Sequence, residues 1–159
     1  MSTDNPGGAA RVGFTADAAE NEAAMRGHAV PRLSPATSEM TIWCLIHGIR
    51  RNDLFTAELH GNPEHSAITR ALNARSIMSN RVPDVEDEEG MPYCFWHPDL
   101  PSEATLWALL SRYQARFPSF RYNLGRACAA AGYTSLYREL DLLPDVAIAE
   151  EAWDNKVNG

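Results

Sequence analysis

The chain has 159 residues, a formal net charge of −7 and an isoelectric point of about 5.2. A nucleic-acid partner usually requires a basic surface, so this charge argues against DNA or RNA binding by overall electrostatics. No apolar run approaches the roughly 18 residues that a membrane span needs, so we expect no membrane partner. Apolar residues make up 45 % of the chain, which is typical of a soluble globular domain with room for a small second lobe.

Residues 1–39 are predicted to form a disordered arm. They are rich in Ala, Gly, Ser, Thr, Asp and Pro and show no sustained periodicity, although a weak helix over Ala16–Met25 is compatible with the sequence. They lack the basic start, apolar block and cleavage site of a secretory signal. The three cysteines are an odd number in apolar surroundings, so we expect reduced thiols and a cytoplasmic or nuclear location.

Residues 40–80 are predicted to form a ββα lobe. Thr41–Ile46 and Leu54–Leu59 are rich in β-branched, aromatic and leucine residues, and Gly48–Asp53 supplies a turn between them. A helix follows, with Asn62 as its N-cap and Pro63 at its first position. Its inward face is predicted to consist of Ile68, Ala71 and Leu72.

This order of strand, turn, strand and helix is the opening of a ubiquitin-like fold. The sequence IWCLIHG, together with the short second strand, resembles the start of the ubiquitin-like header of Crinkler-type effectors. Such headers usually continue with a lysine-rich helix, whereas Ile68–Met78 carries arginines and no lysine, and later strands are not evident in the sequence. We therefore expect an α+β protein in which a small ββα lobe, ubiquitin-like by this resemblance, precedes a helical lobe.

Residues 81–91 are predicted to be an acidic linker, and residues 92–155 a helical lobe. The linker contains the stretch PDVEDEEG, whose acids repel one another and favour solvent. The segment MPYCFWHP is predicted to be extended, with its aromatic side chains in the core. Ser102 is predicted to cap the next helix, and a last helix is predicted over Val146–Trp153.

Residues 121–143 read as two short helices broken at Gly132. Small residues recur at three- and four-residue steps before this glycine, so another backbone can approach closely. Gly132 can adopt the left-handed conformation that ends a helix. Leu136, Leu140 and Leu143 follow on one face, and the first two are predicted to be buried under the preceding helices.

This hairpin resembles a known repeat. Its small pair, turn glycine and second-helix leucines occupy the positions that they have in an ankyrin repeat; they are Cys128, Ala129, Gly132, Leu136 and Leu140. More specifically, MPYCFWHPDLPSEAT followed by RYNLGRACAAAGYTSLYRELDLLPDVAIAEEAWDN is similar to a C-terminal module of uncharacterised fungal proteins, some of which carry ankyrin repeats. The resemblance covers about residues 91–155 and implies no known activity.

Two Cys/His pairs are the candidates for metal binding or catalysis. Cys44-x-x-His47 and Cys94-x-x-His97 together supply the four ligands of a tetrahedral zinc site. If Cys44 lies on a strand, however, His47 points to the opposite face, and both pairs lie among core-type aromatics. The sequence therefore favours buried structural thiols, with no metal and no cofactor.

A charge asymmetry marks the helical lobe. Residues 104–138 contain five arginines and no acid, and residues 139–154 contain six acids and no base. The arginine strip could bind a single-stranded nucleic acid with the help of neighbouring aromatics, or it could pair with the acidic last helix. Helical periodicity favours pairing, because it places the aromatics on the core side. The candidate partner-binding residues are Arg112, Arg116, Arg121 and Arg126.

These observations favour a non-enzymatic protein–protein interaction module, with another protein as its partner. A small enzyme or zinc protein that uses the Cys/His pairs is one alternative. An RNA-binding module that uses the arginine strip is the other.

Overall fold

The computed structural model describes residues 9–34, 36–53, 55, 59 and 65–158, with the backbone alone for residues 9–16 and 155–158. These residues form helices and connecting segments, and none of them lies in a β-strand. The predicted α+β class is therefore wrong for the part of the chain that the structure describes. The chain divides into two compact units, Met1–Asn62 and Pro63–Gly159. None of the helices in the described ranges combines the length and hydropathy that a membrane span requires.

The first unit contains helices α1 (Ala9–Met25) and α2 (Glu39–Arg51). Ser38 caps α2, because its hydroxyl oxygen accepts a hydrogen bond from the backbone N–H of Thr41 at 3.2 Å. Glu39 in the first turn and arginines in the last turn complement the helix dipole. Leu45 and Ile49, four residues apart, are fully buried, so this helix has the apolar face that a stable surface helix needs.

Helix α2 occupies the segment for which the sequence predicts the first strand. Thr41–Ile46 is helical, so the ββα lobe is not formed and the ubiquitin-like interpretation of IWCLIHG is wrong. The preference of β-branched and aromatic residues for strands is weak, and helix capping and a buried helical face override it. The second predicted strand lies mostly outside the described residues, in which only Phe55 and Leu59 of that segment fall; both are buried.

Helix α1 packs against α2 at the C-terminal end of α1. Ala24 is fully buried. A Cβ atom added to Gly48 would lie 2.0 Å from the carbonyl oxygen of Ala24. His47 Nδ1 lies 3.1 Å from the carbonyl oxygen of Met25. The side-chain amide of Asn52 donates to the carbonyl oxygen of Gly27 at 3.1 Å. The helix extends past the Ala16–Met25 segment that the sequence indicates within its predicted arm.

The second unit begins with α3, which the sequence groups with the preceding lobe. Its N-cap position is His65, whereas the predicted cap Asn62 and Pro63 lie outside the described residues. The predicted inward face is confirmed as buried. The helices of this unit are α3 (Ser66–Met78), a short 3₁₀ helix (Glu88–Gly90), α4 (Glu103–Tyr113), α5 (Phe120–Ala131), α6 (Thr134–Glu139) and α7 (Val146–Asn158).

An aromatic cluster lies at the centre of this unit. Phe95, Tyr113 and Phe120 are fully buried, with the Phe95 and Phe120 rings 5.8 Å apart and the Tyr113 and Phe120 rings 6.2 Å apart. Phe95 and the buried Trp96 come from the segment MPYCFWHP, as the sequence predicts. Ser102 caps α4 by accepting from the backbone N–H of Thr105 at 3.3 Å, which is also as predicted.

The acidic segment 81–91 is docked along α4. Val85 is buried, and its backbone N–H donates to the hydroxyl of Tyr113 at 3.0 Å. The same hydroxyl donates to the carbonyl oxygen of Pro83 at 2.6 Å. Arg112 forms an ion pair with Asp84 at 2.7 Å. The acids of the segment face solvent, as the sequence predicts, while its backbone and its valine are held by the helical unit.

The predicted helical hairpin is confirmed. Helix α5 ends at Gly132, whose φ of 73° and ψ of 22° are left-handed, and α6 starts two residues later. Leu136 and Leu140 are fully buried. Leu143 is 86 % exposed and does not share their buried face. Thr134 is the first residue of α6, whose N-cap position, Tyr133, makes no side-chain capping hydrogen bond.

Candidate interaction groove

A groove with a cavity volume of about 490 Å³ separates the α5–α6 hairpin from α7. Its volume falls within the range of sites that bury several side chains or a small ligand. Its lining combines small residues with larger apolar side chains. The small residues are Ala129, Gly132, Ala149 and Ala152, and the larger ones are Tyr133, Tyr137, Pro144 and Ile148.

A polar cluster holds α7 against α5 beside this groove. Arg126 Nη2 of α5 lies 2.6 Å from Glu151 Oε1 of α7, and Trp96 Nε1 donates to Glu151 Oε2 at 3.0 Å. The guanidinium group of Arg126 also stacks over the Trp96 ring, 5.1 Å from its centroid. Because both carboxylate oxygens of Glu151 are used, this cluster fixes the position of α7 and therefore the width of the groove.

Asp145 lies at one end of the groove and begins α7. Its Oδ1 accepts from the Tyr122 hydroxyl at 2.9 Å, the Ala147 N–H at 2.9 Å and the Ile148 N–H at 3.3 Å. The hydrogen bond from Tyr122, followed by those from the two backbone amides, lowers the pKa of Asp145. The same bond raises the pKa of Tyr122. At neutral pH the groove therefore carries a carboxylate at this end and a protonated phenol beside it.

Cys128 is the one thiol that lines the groove among the described residues. Burial raises its pKa to about 12, and the negative charge of Glu103 adds to the increase. The thiol is therefore protonated at neutral pH, and a protonated thiol is a poor nucleophile and a poor metal ligand.

The four arginines singled out from the sequence are all bound to acceptors within their own unit. Arg112 pairs with Asp84, and Arg126 pairs with Glu151. Arg116 donates to the carbonyl oxygen of Glu86 at 2.8 Å, and Arg121 donates to the carbonyl oxygen of Leu140. Pairing with the acidic last helix is thus observed for Arg126, and the acidic segment 81–91 provides acceptors for Arg112 and Arg116.

The aromatic side chains of the strip do not offer free faces. Tyr113, Phe117 and Phe120 are buried, and Tyr122 is half-buried with its hydroxyl bound to Asp145. Stacking on nucleic-acid bases requires exposed rings. The geometry therefore gives the RNA-binding alternative little support.

The two Cys/His pairs lie in different units, with Cys44 and His47 on α2 and Cys94 and His97 in the segment before α4. On a helix, residues three apart share a side, so the argument that His47 points away from Cys44 does not apply. Across the residues that the structure describes, no three His, Cys, Asp or Glu side chains are grouped to hold a metal ion. None of the three cysteines forms a disulfide.

The α7 side of the groove was not predicted from the sequence. Ile148, Ala149 and Ala152 follow the i, i+1, i+4 spacing of one helical face, a signal that was present in the sequence. That this face stands beside the hairpin, with a gap between them, depends on the contact of α7 with α5. Of the small residues for which the sequence predicts close approach of another backbone, Cys128 lines the groove, whereas Ala127 is fully buried and Ala131 does not line it.

Residues 96–157 match the family model described as the YKP1 C-terminal domain. The matched segment contains all of α4, α5 and α6 and nearly all of α7, so it includes every residue that lines the groove. The match supports the expectation of a C-terminal module. No curated protein and no solved structure matches the chain significantly.

Proposed function

We propose that the second unit is a non-enzymatic protein–protein interaction module that binds a segment of another protein in the groove between the α5–α6 hairpin and α7. The observation that carries the proposal is the groove itself, which is lined by small residues and by larger apolar side chains. An amphipathic helix that inserts its apolar face into such a groove is a recurring mode of peptide recognition.

The polar groups of the groove favour binding over chemistry. The Tyr133 hydroxyl donates to the carbonyl oxygen of Pro101 at 3.0 Å, and Asp145 caps α7 while it accepts from Tyr122. The Cys128 thiol is protonated because its pKa is about 12. These groups already have structural tasks, so the groove would act mainly through apolar contact.

Exposed apolar side chains extend the surface beyond the groove. Leu143 is 86 % exposed and Val146 is 74 % exposed, and they flank the groove residues Pro144 and Asp145. Large apolar side chains on a surface gain free energy when a partner covers them, at about 25 cal/mol per Å² of buried apolar area. A partner segment that fills the groove and covers these two residues would bury a continuous apolar surface.

The same proposal assigns the chain to the cytoplasm or nucleus, where cysteines stay reduced. The proposal also gives the hairpin the role that ankyrin-type helix pairs have, which is to present binding surfaces to other proteins. The resemblance to the C-terminal module of fungal proteins supports a module that works within larger proteins.

The proposal is tested by selection of peptides from a displayed random library on the full-length chain. Binding of the selected peptides is then measured by fluorescence anisotropy with the wild type, with Ala149→Trp and with Ala108→Trp. Ala149 lines the groove, whereas Ala108 is an exposed helical alanine of α4 that does not. Filling the groove should weaken binding by about tenfold or more, the scale of a blocked hot spot, and the control should stay within about twofold.

Circular dichroism and thermal unfolding of both variants show whether they keep the wild-type fold. Two outcomes would overturn the proposal. The first is a library that yields no peptide with a preference for this chain over an unrelated protein. The second is a set of selected peptides that bind folded Ala149→Trp as tightly as they bind the wild type.

A further inference from the structure

The charges of the elements that form the groove are unequal. Helices α5, α6 and α7 with the segments between them, residues 120–158, contain six acids and four bases, which are Arg121, Arg126, Arg138 and Lys156. The acids are Glu139, Asp141, Asp145, Glu150, Glu151 and Asp154. A surface with this imbalance attracts cations and repels anions.

Asp145 is the one carboxylate among the residues that line the groove. It accepts hydrogen bonds from Tyr122 and from the first turn of α7, which stabilise its ionised form. A bound segment would therefore meet a negative charge at Asp145.

The bases of these elements offset part of this charge. Arg126 is paired with Glu151 at 2.6 Å and stacked on Trp96. Arg121 donates to the carbonyl oxygen of Leu140, a neutral acceptor that leaves its positive charge in place. When the pair of Arg126 and Glu151 is set aside, five acids and three bases remain among residues 120–158.

We infer that the occupant of the groove is a basic amphipathic segment of another protein, with apolar side chains that enter the groove and Lys or Arg side chains on either side of them. The apolar part would contact the small residues that line the groove and the exposed Leu143 and Val146. The basic part would lie against Asp145 and the acids of α7. Charge complementarity of this kind selects partners and speeds association.

A second copy of this chain is a poor occupant by the same argument. The chain carries a net charge of −7, and a symmetric contact across the groove would bring two acidic rims together. Like charges that meet at an interface disfavour the complex. A cationic segment of a different protein avoids this repulsion and gains from the same charges.

This inference rests on the proposed function, and its test separates the two. A peptide selected on the full-length chain is synthesised in three forms that keep its apolar residues and carry Lys, Gln or Glu at the flanking positions. Affinity for the wild type should fall in the order Lys, Gln, Glu. The advantage of the Lys form should shrink as salt rises from 50 to 500 mM, which shortens the Debye length to roughly 4 Å.

Two neutralising variants locate the charge. Asp145→Asn keeps a side chain that can cap α7 but removes a carboxylate of the groove, and it should weaken the Lys peptide about two- to fivefold, the range of an exposed charge pair. Glu86→Gln removes one exposed acid of the docked segment 81–91, which does not line the groove, and it should leave affinity within about 1.5-fold of the wild type on the same reasoning.

The outcomes are distinct. Peptides that depend on the groove, as judged by Ala149→Trp, but bind equally well with Lys, Gln and Glu flanks would overturn the charge inference and leave the proposed function standing. Equal losses in Asp145→Asn and Glu86→Gln would also overturn it, because they would reflect net charge alone. Peptides whose binding ignores Ala149→Trp would remove the proposed function and this inference with it.

Discussion

Helix α7 forms one wall of the groove, and a single substitution tests how it is held. Ile148 is 5 % exposed and is the one buried side chain of α7 among those that the structure describes. It packs close to α5, since a Cβ atom added to Gly125 would lie 3.5 Å from its Cδ1. Its replacement by alanine removes the main apolar contact that α7 makes with the hairpin.

The expected cost follows from the atoms removed. Ile148→Ala deletes three carbon atoms, which at about 0.8 kcal/mol each corresponds to roughly 2.4 kcal/mol of lost transfer free energy. The cavity contribution should be small because the site adjoins the open groove, where neighbouring side chains can relax. We therefore expect a loss of about 2–3 kcal/mol, at the lower end of the range for such substitutions in cores.

Urea unfolding followed by circular dichroism measures the loss, and amide hydrogen exchange shows where it falls. Exchange along α7 should accelerate about 30- to 150-fold, because each 1.4 kcal/mol corresponds to a factor of ten. Val146→Ala is the matched control on the same helix, since Val146 is 74 % exposed, and it should change stability by less than about 0.5 kcal/mol. Equal effects of the two variants would refute the argument that the apolar face of α7 docks it.

Two further predictions concern α1 and the buried thiol. Gly48→Ala would place a Cβ atom 2.0 Å from the carbonyl oxygen of Ala24, so α1 should separate from α2. Limited proteolysis of the segment that connects the two helices should then accelerate. An unchanged cleavage rate would mean that residues 1–39 behave as the disordered arm that their composition predicts. Cys128 has a pKa of about 12 in the folded chain and roughly 8.5 when the chain is unfolded. The wild type should therefore lose stability relative to Cys128→Ala as pH rises from about 8.5 towards 12. Parallel pH profiles of the unfolding free energy of the two proteins would contradict the pKa shift.

The second unit was predicted best where its signals are local. Gly132 ends α5 in the left-handed conformation, and the burial of Leu136 and Leu140 follows from their helical spacing. The cap at Ser102 was likewise read directly from the sequence, because it depends on neighbours three residues away. Aromatic residues in the segment before α4 are large enough that their burial was expected wherever the segment lay.

The first unit was predicted worst because two local signals conflict there. The β-branched and aromatic residues of Thr41–Ile46 favour a strand, whereas the cap at Ser38 and the pair Leu45 and Ile49 favour a helix. Gly48 looked like a turn residue, yet it lies inside α2 at the point where the carbonyl oxygen of Ala24 approaches. That approach joins residues 24 apart in the chain, so no local pattern could indicate it.

The sequence by itself determined that the second unit is helical, where its hairpin turns and which charges it carries. Composition and spacing are sufficient for these properties, because helix ends and apolar faces depend on residues within one or two turns. Only the tertiary structure decided that Arg126 is bound by Glu151 and Trp96, that the acidic segment 81–91 docks on α4, and that a groove remains beside α7. These features join residues that are distant in sequence, and packing of the whole unit sets the distances between them.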